Sequence, residues 1–360
     1  MPSRTEERGQ LRGGLWIKRT PSVYTTAQVS EWLAKIKYPK INYPDDITSF
    51  EPSLESLTLL ARLSITTFPF ENTPMHYTAD HTMDIAYDAL YDRMVASSDG
   101  RGSYCFGLNR LFFQMIKALG FRVYAGAGRV NEEPPNVAPI FHAFCHMLLF
   151  VQPIEGSNKT YVVDVAAGPV RPILLEEGEM VMGASPSEHH LFTRNAHPHS
   201  SLESYPDAQG AEKLEWRLEY LRESDDPEQP TSSRVLYSFV EDEFFEADYA
   251  AFNYSVDGLH AGLFWENVVC TKFSFMTDAE VRAVDPNLTP TDLALLTPLN
   301  RHMVRMSLAG NKVRRHVGRE STVVRAVGTE GERAEALREF FGIGIKKKDL
   351  KHIEGREAEL

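Results

Sequence analysis

The sequence predicts an α+β chain whose helical first third is followed by a β-rich middle and a mixed α/β end. Two observations carry this: apolar residues recur at three- and four-residue spacing as far as Leu119, and from about Phe121 the period changes to alternation. A third is that segments rich in Ser, Pro, His, Asp and Glu, at 195–211 and 222–233, separate the alternating runs as long surface loops would.

The first helix starts at Thr25, which with Gln28 three residues on forms a capping-box pair. Val29, Trp32, Leu33 and Ile36 make its apolar face, and Pro39 ends it. A second runs from Ser53, with Leu54, Leu57, Leu60 and Ala61 on one side, and stops before Pro69. A third covers Ile85 to Met94. After the loop from Ser97 to Ser103, a fourth carries Leu108, Leu111, Phe112, Met115 and Leu119 away from Asn109, Arg110, Gln114 and Lys117, with Gly120 as its cap. Cys105 falls in its first turn. Strands are predicted at Phe121–Ala125, Phe144–Val151, Tyr161–Val165, Leu214–Tyr220 and Arg234–Phe239. In the last third a strand at Ser321–Val327 precedes a capped helix from Thr329 to Gly342, and the residues from Lys346 read as a solvated charged tail.

At 360 residues the chain is long enough for two or three subdomains and a deep site between them. A formal net charge of -12 disfavours a nucleic-acid surface or an anionic membrane as the main partner, since both attract clustered positive charge. No stretch is apolar enough for a membrane helix and the first residues are polar, so the expected location is the cytoplasm. Cys105, Cys145 and Cys270 are odd in number and widely separated, which fits neither a disulfide framework nor a structural zinc site. His189, His190, His197 and His199 lie in a Ser/Pro-rich region without ligand spacing, so no metal is assigned and a solvated loop is expected.

A cysteine in the first turn of a helix feels the positive end of the helix dipole, which favours the thiolate. On that feature alone Cys105 is either a nucleophile or a small buried hydrophobe. The hairpin Phe144–Val151 and Tyr161–Val165 adds more. With its turn near Glu155 or Gly156, His146 lies opposite Asp164 or diagonal to it, at a Cβ separation of about 5 to 8 Å. By strand parity His142, Phe144, His146, Leu148 and Phe150 share a face, leaving Cys145 and Met147 on the other. An acid among apolar neighbours needs a partner, and His146 supplies one, either as a satisfied core pair or as part of a catalytic site.

The segment Arg101-Gly102-Ser103-Tyr104-Cys105-Phe106-Gly107-Leu108-Asn109 resembles the active-site segment of the arylamine N-acetyltransferases. Gly128-Arg129-Val130, His146–Val151, Val163-Asp164-Val165 and Gly168 follow that family's order and spacing, and Pro69-Phe70-Glu71-Asn72 and Leu337–Ile343 are similar to its terminal segments. The chain looks like a fungal-like member over nearly its whole length. The resemblance implies a helical domain at 1–123, a β-barrel domain at 124–243 and an α/β lid at 244–360, with a core like that of papain-like cysteine proteases.

It further implies Cys105 as nucleophile, His146 as base and Asp164 as orienting acid. The reaction would carry an acetyl or related short acyl group from acyl-coenzyme A (acetyl-, propionyl- or malonyl-) to an arylamine, arylhydrazine or arylhydroxylamine, by a ping-pong route through a Cys105 thioester, as in xenobiotic metabolism. Phe70, Ala167 and Arg171 fall at the family's acceptor pocket. There Arg171 pairs with a carboxylate if donor or acceptor carries one, and is otherwise a surface salt-bridge partner. Gly126 and Gly128 resemble a glycine-rich turn near the coenzyme, with a plain strand-end turn as the alternative. The chain departs from the family pattern in three places: Ser103 replaces a glycine, Gly107 replaces an acid or glutamine, and Asp164-Val165-Ala166-Ala167-Gly168 lacks the usual aromatic, which predicts a roomier pocket. Two rivals remain: a cysteine hydrolase using the same trio, and a non-catalytic binding protein that kept the pocket.

Overall fold

The computed structural model describes residues 8–39, 47, 50–166, 168–202, 213–223 and 231–360. Helices α1 (Thr26–Lys35), α2 (Leu54–Thr67), α3 (Pro74–Tyr77), α4 (Tyr87–Tyr91) and α5 (Cys105–Ala118) form the helical first third. Thr25 caps α1 in a full capping box with Gln28, and Ser53 caps α2. The helix expected at Ile85–Met94 is α4 continued by a π turn over Asp92–Ala96. Gly120 ends α5 at φ +84, a left-handed conformation that explains the glycine.

Strands β1 (Phe70–Glu71), β2 (Arg122–Asn131), β3 (Phe141–Gln152), β4 (Tyr161–Val163), β5 (Ile173–Leu174), β6 (Val181–Met182), β7 (Glu188–Ala196), β8 (Leu214–Arg222) and β9 (Ser232–Phe239) are followed by β10 (Val269–Phe275), β11 (Met303–Ala309), β12 (Lys312–Val317) and β13 (Glu320–Ala326). Eight form one sheet in the order β5-β4-β3-β2-β9-β8-β7-β6. It curls until it nearly closes, because Glu177, three residues past β5, bridges to Phe192 in β7, and Gly178 N–H donates to the Phe192 carbonyl at 2.8 Å. Leu148, Phe150, Val162, Ile173, Phe192, Leu218, Tyr237 and Phe239 fill the interior of this barrel. The alternate residues Met147, Leu149, Val151 and Val163 face outward into the core shared with α1, α2 and α5.

The remaining five strands form the antiparallel sheet β1-β10-β11-β12-β13. Its edge strand β1 comes from the helical third, so the first and last parts of the chain share a sheet. Arg62 of α2 adds to this link, donating to the carbonyls of Pro298 (2.6 Å) and Arg301. Helices α6 (Glu246–Asp257) and α7 (Leu263–Glu266) cross between the barrel and this sheet. The predicted terminal helix is present, capped by Thr329, continuing through a π turn to Gly342 at φ +79.

Three expectations need correction. His189 and His190 lie in β7 rather than in a solvated loop, with His190 buried against Tyr220 (ring centroids 5.4 Å apart); only the half-buried His197 and the exposed His199 follow the strand. Residues 203–212 and 224–230 of the expected loops lie outside the described residues. The charged terminus is docked, not solvated: Ile353 and Ala358 are buried, and buried Arg333 donates to the Ala358 carbonyl at 2.9 Å. Finally, the supposed polar face of α5 is inside the protein, with Asn109, Arg110 and Gln114 all buried. Periodicity misread them because each finds a partner there; Arg110, for instance, pairs with Glu246 at 2.6 Å.

Candidate active site

The site begins with the loop that delivers Cys105. Phe70 forms a bridge to Ser103, Glu71 N–H donates to the Ser103 carbonyl at 3.0 Å, and the fully buried Glu71 carboxylate accepts from Gly102 N–H at 3.1 Å and Thr73 N–H at 2.6 Å. Asn72 ties the same segment to the other side, accepting from Val269 N–H at 2.8 Å and donating to the Phe264 and Asn267 carbonyls at 2.7 and 2.8 Å. The Phe-Glu-Asn run is therefore the clamp that holds the Cys105 loop. Gly102 has no choice of residue, since a Cβ there would lie 1.7 Å from the Pro69 carbonyl oxygen.

Two departures from the family pattern are coupled in space. A Cβ on Gly107 would lie 2.1 Å from Ser103 Oγ and 2.5 Å from Ser103 Cβ, so the side chain gained at 103 occupies the room vacated at 107. Ser103 Oγ also accepts from Arg93 Nη2 at 3.1 Å.

Cys105 opens α5, and no side chain caps that helix. The backbone amides of its first turn thus keep their positive end toward the sulfur. Cys105 Sγ lies 3.6 Å from the Cys145 carbonyl oxygen and in hydrogen-bonding contact with the His146 ring. His146 Nε2 and Asp164 Oδ2 are 2.7 Å apart, so the two ring nitrogens serve the acid and the sulfur separately. All three side chains are buried: Cys105 is 4% exposed and His146 and Asp164 are 3% each.

The hairpin register is the diagonal one. Leu149, Phe150 and Val151 pair with Val163, Val162 and Tyr161, which centres the turn at Gly156 and sets Asp164 opposite Leu148. Strand parity holds from His146 to Phe150 and fails before it. Gly128 pairs with His146 but Arg129 with Phe144, so Cys145 is the extra residue of a β-bulge. Beyond the bulge Phe144 packs on Phe244 and Phe252, on the helical side, instead of joining His146. The Cys145 thiol is held protonated because burial pushes it up to about 11.

Two residues that sequence reasoning did not single out complete the acid's surroundings. Asn109, one turn beyond Cys105 on α5, donates to Asp164 Oδ1 at 3.0 Å and to the Met147 carbonyl at 2.7 Å, while its own oxygen accepts from Val165 N–H at 3.0 Å. The i+4 spacing from the cysteine was the available signal. Tyr237 of β9 donates to Asp164 Oδ2 at 3.3 Å and lies against the His146 ring, centroids 4.6 Å apart; only the barrel's closure brings it there. With Ala166 N–H at 2.9 Å, the carboxylate accepts four hydrogen bonds.

Burial alone would lower His146 and raise Asp164, but their mutual attraction and hydrogen bonds win, so the imidazole is raised well above its usual range and the carboxyl lowered. The arrangement is an imidazole ring held by a carboxylate on one side and set beside the Cys105 sulfur on the other. It can accept and return a proton at that sulfur.

Phe70 is partly buried in the same core as Cys105, its ring 5.9 Å from that of Phe264. Arg171 is partly buried on the loop between Asp164 and β5. Ala167 lies outside the described residues. Gly126 and Gly128 form no turn: both are buried mid-strand in β2, opposite Leu148 and His146. Their lack of a Cβ has a packing reason, because one would meet the Phe150 ring at 2.5 Å from Gly126 and the Ser238 carbonyl at 2.9 Å from Gly128. A cleft of about 1020 Å³, lined by Trp16, Lys117, Tyr124, Glu241 and Phe245 among others, does not include the Cys105 trio.

A family model described as N-acetyltransferase matches residues 53–292. The chain belongs to the arylamine N-acetyltransferase family. Among its relatives, the N-malonyltransferase of Fusarium pseudograminearum is 26% identical over 350 residues, covering 92% of each chain. An arylamine N-acetyltransferase of Mycobacterium tuberculosis is 34% identical over 146 residues, 39% of this chain and 48% of that protein. The structure of the arylamine N-acetyltransferase from Mycobacterium abscessus superposes with a TM-score of 0.65 at 22% identity, covering 92% of this chain and 95% of that one, which establishes the shared fold. The Mycobacterium marinum enzyme in complex with CoA gives 0.62 at 21% identity, over 91% and 98%. The family member described here is thus an acyltransferase by class, with a nearly closed barrel between mixed α/β parts. Among its described residues no helix is long and apolar enough to cross a membrane.

Proposed function

We propose that this acyltransferase carries a short acyl group (acetyl, propionyl or malonyl) from acyl-coenzyme A to an aromatic amine, hydrazine or hydroxylamine, in two displacements through a thioester on Cys105. The observation that supports it is that Cys105 and Asp164 both meet the His146 ring, the three residues coming from an uncapped helix start, a strand end and a bulged strand.

In the first half, the Cys105 thiol gives its proton to His146 and the sulfur attacks the thioester carbonyl. The uncapped first-turn amides of α5 are the donors this reading assigns to the developing oxyanion. The coenzyme A thiolate leaves and takes the proton back from the imidazolium. In the second half, the amine attacks the Cys105 thioester, His146 accepts the amine proton, and the Cys105 thiolate leaves to be reprotonated. Asp164 keeps the ring oriented and stabilises its charge. In this reading the chain divides at 123/124 and 243/244 into a helical part, a barrel part and a lid, its core is papain-like, and it works in the cytoplasm.

The test is a panel of acetyl-, propionyl- and malonyl-coenzyme A against aromatic amines, with intact mass of enzyme treated with donor alone. The expected result is one acyl adduct that maps to Cys105, is discharged by amine faster than by water, and is lost in Cys105→Ala together with about a millionfold of turnover. Discharge by water at the same rate with and without amine makes the protein a hydrolase. Turnover that survives Cys105→Ala overturns the scheme.

A further inference from the structure

Tyr104 stands between the clamped Gly102 and the sulfur of Cys105. It is the N-cap residue of α5, yet its side chain makes no bond to the helix amides, so the usual local fixing of a helix start is absent there. What fixes it comes from far along the chain. The phenol is fully buried, with its ring edge-on to Phe106 of α5 and to Phe264 of α7 at centroid separations of 5.8 and 5.7 Å. Its hydroxyl donates to Asn253 Oδ1 of α6. A phenylalanine would fill the same aromatic space, so what the hydroxyl adds is the bond to α6.

Asn253 is itself held in one orientation. Its Nδ2 donates to the Met83 carbonyl and to Asp257 Oδ2, each at 3.2 Å, and a flipped amide would turn its oxygen against both acceptors. Asp257, one turn further along α6 and buried, closes the arrangement by accepting from Met83 N–H at 3.0 Å. The i and i+4 pair thus grips both backbone groups of the fully buried Met83 and leaves the Asn253 oxygen facing Tyr104. Tyr104 and Cys105 share a planar peptide unit, so a fixed phenol restricts where the sulfur sits. That sulfur has to meet the His146 ring, a contact that a displacement of about 1 Å would spoil.

We propose that Asn253, oriented by Asp257, is a positioning residue for Cys105: through the Tyr104 hydroxyl it takes the place of the missing helix cap and mounts the start of α5 on a helix from the last third of the chain. The consequence for turnover rests on the acyltransferase reading above; the consequence for the reactivity of the sulfur does not.

The experiment compares the full-length wild type with Tyr104→Phe, Asn253→Ala, the double variant of the two, and Val313→Ala. The last is a stability control, because Val313 is buried in the core behind the second sheet, which contains neither Cys105 nor Tyr104. For each, the melting temperature is recorded, and well below it the alkylation of Cys105 by iodoacetamide is timed by peptide mass. Steady-state kcat and KM are measured with acetyl-coenzyme A and p-anisidine. Tyr104→Phe and Asn253→Ala should each slow alkylation roughly three- to tenfold and lower kcat about ten- to a hundredfold, with KM moved by less than about twofold. The double variant should be no slower than the worse single one, since both changes break the same bond. Val313→Ala should lower the melting temperature and leave alkylation and kcat as in wild type.

If Tyr104→Phe lowers only the melting temperature, as Val313→Ala does, the bond is structural and the proposal is overturned. Losses that multiply in the double variant also overturn it, because the two residues then act separately. So does a raised KM at unchanged kcat, which would make Tyr104 a binding residue. If wild type accepts no acyl group from the thioester, it is the acyltransferase reading that fails, and the alkylation rates still decide the role of Asn253.

Discussion

Asp164 and Arg171 stand at the two ends of one short stretch and in opposite electrostatic conditions. The acid accepts four hydrogen bonds and faces the His146 ring; the base touches no acid and no acceptor among the described residues. A saturated charge is a positioned part, since every lone pair is used to hold the His146 ring in one place. An unpaired charge that is half exposed is left to solvent. The contrast shows how one loop carries at its first residue a charge locked by the fold and at its last a charge that the described residues leave unpaired.

The most severe way to break the locked end is Asp164→Asn. It keeps the shape but removes the charge that orients the His146 ring and stabilises it when protonated, so kcat read from steady-state kinetics should fall by about 10³- to 10⁴-fold. Next comes Asn109→Ala, which strips one donor from Asp164 and leaves the Met147 carbonyl and Val165 N–H without their partner. Urea unfolding should show a loss of about 2–4 kcal/mol, together with a lower kcat and a nearly unchanged KM.

A smaller effect is expected where the Cys105 loop departs from the family pattern. Gly107→Ala drives a methyl into Ser103 and should cost about 1–3 kcal/mol, and Ser103→Gly in the same chain should recover much of it. A double-mutant cycle that shows no coupling removes the compensation. The mildest probe is pH. Because His146 is raised in the folded state, its stabilisation is complete below the unfolded value of 6.5 and is lost as pH climbs through the higher folded value. Because Asp164 is lowered, its share is complete above 3.8 and is lost as pH falls through the folded value beneath it. The melting temperature should therefore sag on both flanks in wild type, and both contributions should vanish in Asp164→Asn.

Much of this was legible in the sequence. Capping residues announced α1 and α2, the change of period at Phe121 marked the start of the barrel, and the Cys105, His146 and Asp164 trio followed from a helix start and a hairpin register. The errors share a cause. Asn109, Arg110 and Gln114 read as a solvent face, His190 as a loop residue and Ile353 as part of a free tail, because polarity reports exposure only when no partner waits inside. The bulge at Cys145 was equally invisible, since one extra residue in a strand has no compositional mark.

Local chemistry is thus what the sequence by itself determined: which residues start helices, which alternate, and which thiol, imidazole and carboxylate are candidates to meet. Tertiary structure alone decided what surrounds them. Closure of the barrel brought Tyr237 to Asp164, α5 packed Asn109 against the acid, and Arg171 was left without an acid or acceptor among the described residues. The reason is range: capping and periodicity act over a few residues, whereas satisfaction of a buried charge is settled by whatever distant segment the fold brings within a hydrogen bond's length.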